Sequence, residues 1–199
     1  MTGGAADDVE FDALLLRFQA VADTVRQSLL DVLHVDGPQT MASLRRKVPA
    51  AKGSLRWDLA RLEQAGVVAR EGEGRTATWD VVRGAIGFTE QLASHPRTAA
   101  AVQEFDRVLT ERRITRLRAW AAERHTRLWN SEWSDASISR DYLLRLTASE
   151  LDELDAEIHE RIDAMRQRSV KRRAAGEVVA GEEAVFITVG GFPFRLGRG

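Results

Sequence analysis

The sequence predicts a mainly helical α+β chain in which a small β-hairpin sits among short amphipathic helices near the N-terminus. Three observations predict it. Leu55, Leu59 and Leu62 recur at the i, i+4, i+7 spacing of one helical face. Gly66 follows that run directly, where a C′ glycine ends a helix. Two β-prone runs, residues 67–70 and 75–81, then flank the turn-forming stretch Glu71-Gly72-Glu73-Gly74.

Taken in order, residues 1–8 are acidic and small and read as disordered. Phe11, Leu14, Leu15, Phe18 and Val21 give a first helix over 9–22. Asp23 or Thr24 caps a second helix carrying Val25, Leu29, Val32 and Leu33, which ends at His34-Val35-Asp36-Gly37-Pro38. Thr40 caps a third helix over 41–48, with Leu44 and Val48 pointing inward. Pro49-Ala50 turns the chain into a helix over 52–65 that Ala51 caps, and the hairpin follows. Residues 84–93 read as another helix, ended at His95-Pro96. A long helical run over 99–129 repeats Val102, Phe105, Leu109, Ile114, Leu117, Ala121 and Leu128 at three- and four-residue steps. Residues 131–139 read as a loop, and 142–146 and 184–189 as short strands that pair. Thr147-Ala148-Ser149-Glu150 is a capping box. It opens a helix with Leu151, Leu154, Ile158, Ile162 and Met165 on one face and a cluster of cations at its end. The predicted organisation is a disordered 1–8, a first domain over 9–83 and a mostly helical second domain with a small β element over 84–199.

Composition narrows the function. The chain has 199 residues, a net charge of −1 and no Cys, so disulfides and thiolate metal sites are excluded. No apolar run approaches the ~20 residues of a membrane span, and no basic, apolar leader begins the chain. A cytoplasmic, non-membrane location is the expectation. Charge is uneven along the sequence. Between Arg45 and Arg75 eight cationic side chains face four acidic ones, and local sign governs a groove-binding face more than the total does.

Helix, helix, helix, short turn, helix, hairpin is the order of a winged helix-turn-helix. In that unit the second helix of the pair enters the major groove and its first residues reach base edges. Here those residues are Lys52, Gly53, Arg56 and Trp57. Arg56 has the fork to grip a guanine, and Gly53 permits close approach to the DNA backbone. Lys52, Arg61 and the cluster Arg45, Arg46, Lys47 suit phosphates, which position a protein without reading sequence. Arg75, beside the hairpin tip, reaches for a minor groove or a phosphate. Two bland readings stand beside these: Arg45 to Lys47 as solvated surface charge, and Trp57 packed toward the third helix as core.

Two segments carry a family resemblance. Val21-Ala22-Asp23-Thr24-Val25-Arg26-Gln27-Ser28-Leu29-Leu30-Asp31-Val32-Leu33 resembles the second-helix segment of ArsR-type winged-helix repressors. Lys52-Gly53-Ser54-Leu55-Arg56-Trp57-Asp58-Leu59-Ala60-Arg61-Leu62-Glu63-Gln64-Ala65-Gly66-Val67-Val68 resembles that family's recognition helix and wing start. The likeness spans about residues 10–83. It implies a dimeric regulator that binds a palindromic operator and leaves it on an effector signal, with base-reading positions at Lys52, Gly53, Arg56 and Trp57. The chain departs from the family at Thr24, where a Pro is usual, and at Asp58, where a His is frequent. The second departure is expected to set a negative charge near DNA.

Metal and catalytic motifs are missing. His34, His95, His125 and His159 are scattered. The Asp155/His159 pair reads as an ordinary i,i+4 contact more readily than as a ligand set. No phosphate loop or nucleophile elbow occurs, so neither an enzyme nor a cofactor is expected. In the second half, Trp120, Trp129, Trp133, Tyr142 and Phe186 either build core or line a pocket for a small apolar effector. The Leu151 to Met165 stripe suits a seam between subunits or packing against the long helix of its own chain, and the first helix and the long helix are the candidates to pair two chains. The leading expectation is therefore a homodimeric, sequence-specific regulator of transcription on double-stranded DNA, a repressor in character. The rival is a winged helix used only to dock proteins.

Overall fold

The structure is a computed structural model that describes residues 4–51, 53–82, 95–177 and 179–195. It is mainly helical with one small antiparallel sheet. The chain divides into two units, 1–128 and 129–199.

In the first unit, α1 (Gly4–Val21) and α2 (Thr24–Asp36) are joined by a tight break. Asp23 makes that break: its carboxylate accepts from the amides of Val25 and Arg26, so it is the N-cap of α2. The carbonyls that α1 leaves open at its end are filled from α2. Arg26 Nε donates to Ala20 O and Gln27 Nε2 donates to Val21 O at 2.9 Å. β1 (Gln39–Thr40) leads into α3 (Met41–Lys47), with the Thr40 hydroxyl accepting from the Ser43 amide as a cap. A 3-10 turn, Pro49–Ala51, precedes α4 (Leu55–Gln64). β2 (Val68–Glu71) and β3 (Thr78–Val81) form the hairpin, and β1 adds to the other edge of β3, giving the order β1-β3-β2. Val68 lies opposite Val81, Arg70 opposite Trp79, and Thr40 opposite Thr78.

The core gathers one face from each helix of the unit and from the hairpin. Phe18 of α1, Leu29 and Leu33 of α2, Leu44 of α3, the Leu55/Leu59/Leu62 stripe of α4 and Trp79 of β3 are all buried together. The helix α5 (Ala99–Glu123) closes this core with Val102 and Phe105, the latter edge-on to Phe18 with ring centroids 5.4 Å apart. Farther along α5, Arg112 and Arg116 both donate to the Asp31 carboxylate on α2. The first unit therefore runs past the expected boundary at residue 83, through α5 to residue 128. A helix whose first half supplies core residues to the N-terminal elements belongs to their unit.

The second unit holds α6 (Ser131–Ala136) and α7 (Ala148–Ala174). The capping box at Thr147 and Glu150 is formed in both directions. None of the described residues of this unit is buried.

Several expectations need correction. Residues 4–8 belong to α1 rather than to a disordered tail. The fourth helix starts at Leu55, not residue 52, because Ala51 is held in the preceding 3-10 turn and fully buried; Ser54 stands at the cap position. The long run ends at Glu123 and not at residue 129. The predicted loop over 131–139 begins with α6, where the Asn130 side chain accepts from the Trp133 amide. Neither 142–146 nor 184–189 forms a strand; among the described residues, the three-stranded sheet of the first unit is the only one. Their β-prone composition is present, but no ladder joins them. The helix expected over 84–93 lies outside the described residues.

Candidate nucleic-acid interface

α4 presents two contrasting sides. Leu55, Asp58, Leu59 and Leu62 are buried, whereas Arg56, Trp57 and Ala60 are exposed. The 3.6-residue period places the apolar stripe on the core and leaves Arg56 and Trp57 in the first turn, and Glu63 and Gln64 in the last, facing solvent. Both helix ends are anchored. At the C-terminal end Gly66 has φ +67°, its amide donates to Glu63 O and the Val67 amide reaches back to Leu62 O. Arg17 of α1 adds a hydrogen bond of 3.3 Å to Ala65 O, a cation at the negative pole of the helix.

At the other end Asp58 ties α4 to α2. It is 3% exposed, accepts from Ser54 Oγ at 2.6 Å and lies 3.4 Å from Arg26 Nη1, itself a buried side chain. The expectation of a negative charge near DNA is thus corrected. The Asp58 carboxylate points inward and is neutralised by Arg26, so it does not contribute an anion to the outer side of α4.

Arg26 also carries Trp57. Its guanidinium lies 5.4 Å from the indole centroid, a cation–π contact, while Trp57 remains 59% exposed. The core alternative for Trp57 does not hold. One arginine clamps the buried anion and backs the exposed ring that lie on consecutive residues of α4. This Arg26–Asp58–Trp57 cluster escaped the sequence reading, because Arg26 and Asp58 are 32 residues apart. The hint available was a charged residue at a stripe-flanking position of α4.

The remaining candidates are distributed as follows. Gly53 is exposed, with open space where a Cβ would stand. Arg45 and Arg46 are exposed at the end of α3; Arg61 is half-buried on α4. Lys47 is engaged within the chain, 2.7 Å from Asp36 Oδ2 and 3.2 Å from Gln39 Oε1. Arg75 is exposed in the hairpin turn, between glycines with positive φ at 72 and 74 and the strand β3. Arg70 on β2 lies over the Trp79 ring at 5.5 Å. Lys52 lies outside the described residues. Of the candidate cations described, the exposed ones therefore fall on α3, in the first turn of α4 and at the hairpin tip.

The effector candidates differ in burial. Trp120 is half-buried on α5 of the first unit. Trp129 and Trp133 are half-buried in the second unit, with Trp133 Nε1 donating to Gly181 O at 3.1 Å. Tyr142 and Phe186 are exposed at 71% and 43%. Among the described residues no cluster of three His or carboxylate groups is arranged to hold a metal, and no helix is long and apolar enough to cross a membrane. No family model, curated protein or solved structure matches the chain.

Proposed function

We propose that the first unit is a winged helix-turn-helix and that the chain is a sequence-specific, homodimeric regulator of transcription in the cytoplasm. In this reading α3 and α4 are the helix pair, α4 is the recognition helix and the β2–β3 hairpin is the wing. One observation carries it: the first turn of α4 holds Arg56 and Trp57 out to solvent while the opposite side of the helix is locked into the core. A helix so anchored presents Arg56 and Trp57 without any rearrangement, and preorganised donors lose little entropy on binding. Arg56 reads a base edge. Trp57, stiffened by Arg26, offers a flat apolar surface of the kind that meets a thymine methyl. Arg45 and Arg46 take phosphates, as does Arg75 from the wing. Lys47 contributes least, because Asp36 already holds it.

Two half-sites about 34 Å apart, one DNA turn, require two copies of the chain. Repression follows from occupancy of such a site. A small apolar molecule acting on the aromatic residues of the second unit is the corresponding release signal.

Selection of bound sites from randomised duplex DNA tests this reading. A two-fold symmetric consensus is expected, with affinity that falls steeply with salt. Arg56→Ala should cost about 1–3 kcal/mol at one base position and relax preference there. Arg46→Ala should weaken all sequences alike and lower the salt slope by about 1. Recovery of no consensus, or both variants binding like the parent, overturns the assignment.

A further inference from the structure

The second unit has a face without a core. The exposed apolar side chains include Leu154 and Met165 on α7, with Leu143, Leu144 and Ile187 on the extended segments. No described residue between 129 and 195 reaches full burial. A segment this long ordinarily hides much of its apolar surface on folding.

The charge of α7 states what covers it. From Ala148 to Glu160 the helix carries six carboxylates and no Lys or Arg; from Arg161 to Ala174 it carries six cations and one carboxylate. The apolar stripe Leu151, Leu154, Ile158, Ile162, Met165 runs through both halves. Such a helix repels a parallel copy of itself along its whole length. Against an antiparallel copy, every acidic segment meets a basic one.

We propose that α7 pairs with α7 of a second copy in an antiparallel, two-fold seam, and that this seam joins the dimer. The proposal rests on the homodimeric reading above and specifies its interface. With the two-fold axis at Glu160, one residue from the helix midpoint, Ile158 meets the partner's Ile162, and Asp152 lies beside the partner's Arg168. Isologous contact of this kind closes on itself and stops at two chains. At 27 residues the helix is about 40 Å long, enough for a continuous seam. One end of the stripe already has a neighbour in the same chain: a Cβ added to Gly191 would come within 2.8 Å of Leu151 Cδ1. Ile158 and Ile162 are half-buried and Leu154 and Met165 are exposed, so the seam runs along these four and leaves Leu151 to its own chain.

The test uses the full chain, which has no native Cys, so one engineered thiol is a unique label site. Ser169→Cys with a nitroxide reports the two label positions by double electron–electron resonance. Antiparallel pairing separates them by about 30 Å, parallel pairing by about 10–15 Å. In parallel, sedimentation equilibrium follows charge reversal. Asp152→Arg with Glu153→Arg, or Arg168→Glu with Lys171→Glu, should each raise the dimer Kd about tenfold or more. All four together should restore it, which a folding defect would not allow. A parent chain that stays monomeric at micromolar concentration overturns the homodimeric reading itself. A stable dimer with the short label distance, or one indifferent to both reversals, leaves that reading standing and overturns the α7 seam.

Discussion

Removing the Asp58 carboxylate gives the sharpest test of how α4 is held. In Asp58→Ala, Arg26 loses its buried anion and Ser54 Oγ loses its acceptor. Breaking a buried pair by deleting one partner costs about 3–5 kcal/mol, because the other charge stays desolvated. Here the lower end applies. Arg26 keeps its bond to Ala20 O, a longer one to Gln19 O at 3.4 Å, and Asp23 at 4.0 Å. The expected loss is thus about 3 kcal/mol, which at about 4 °C per kcal/mol lowers Tm by about 12 °C. Urea unfolding followed by circular dichroism reads the free energy directly. A double-mutant cycle with Arg26→Met isolates the pair: the double variant should be less destabilised than the sum of the single ones by about 1–3 kcal/mol. Trp57 supplies an independent signal, since loss of Arg26 removes the cation backing its ring and should shift its fluorescence. A cost under about 1 kcal/mol together with additive single effects would refute the claim that this pair fastens α4 to α2.

Other outcomes follow from the same geometry. Gly66→Ala should cost about 1–2 kcal/mol in the unfolding assay, since φ +67° penalises a Cβ although the space around it is open. Gly53→Ala meets no neighbour within the chain, so folding should be unchanged; DNA affinity should fall if the duplex backbone approaches there. Asp31→Ala removes the shared partner of Arg112 and Arg116 and should cost about 1–3 kcal/mol, with hydrogen exchange rising in α5 first. Hydrogen bonds from the Thr147 amide and hydroxyl hold the Glu150 carboxyl below its ordinary value of 4.5. A depressed carboxyl stabilises above its unfolded pKa and loses that contribution as pH falls through the folded one. Helicity of the parent should therefore decline below about pH 4.5, and Glu150→Gln should not show this step.

Much of the first unit was legible because short-range rules govern it. Thr40 and Asp23 cap through bonds to amides two or three residues away, Gly66 stops a helix through its own φ, and the leucines of α4 repeat at the helical period. The same period put Arg56 on the solvent side. Interactions across sequence were not legible in this way. β1 is two residues long, and only its pairing with β3 makes it a strand. The Arg26–Asp58 pair depends on α2 crossing α4, and it turned a residue that looked hostile to DNA into an inward anchor. The β-prone runs at 142–146 and 184–189 show the converse: composition proposes a strand, but pairing creates one. By itself the sequence determined where α2 and α3 begin and end and which sides of the first unit's helices are apolar, since caps and periods act over a few residues. Tertiary structure alone decided which charges are buried, which aromatic is exposed and to which unit α5 belongs, because those depend on elements brought together over long stretches of chain.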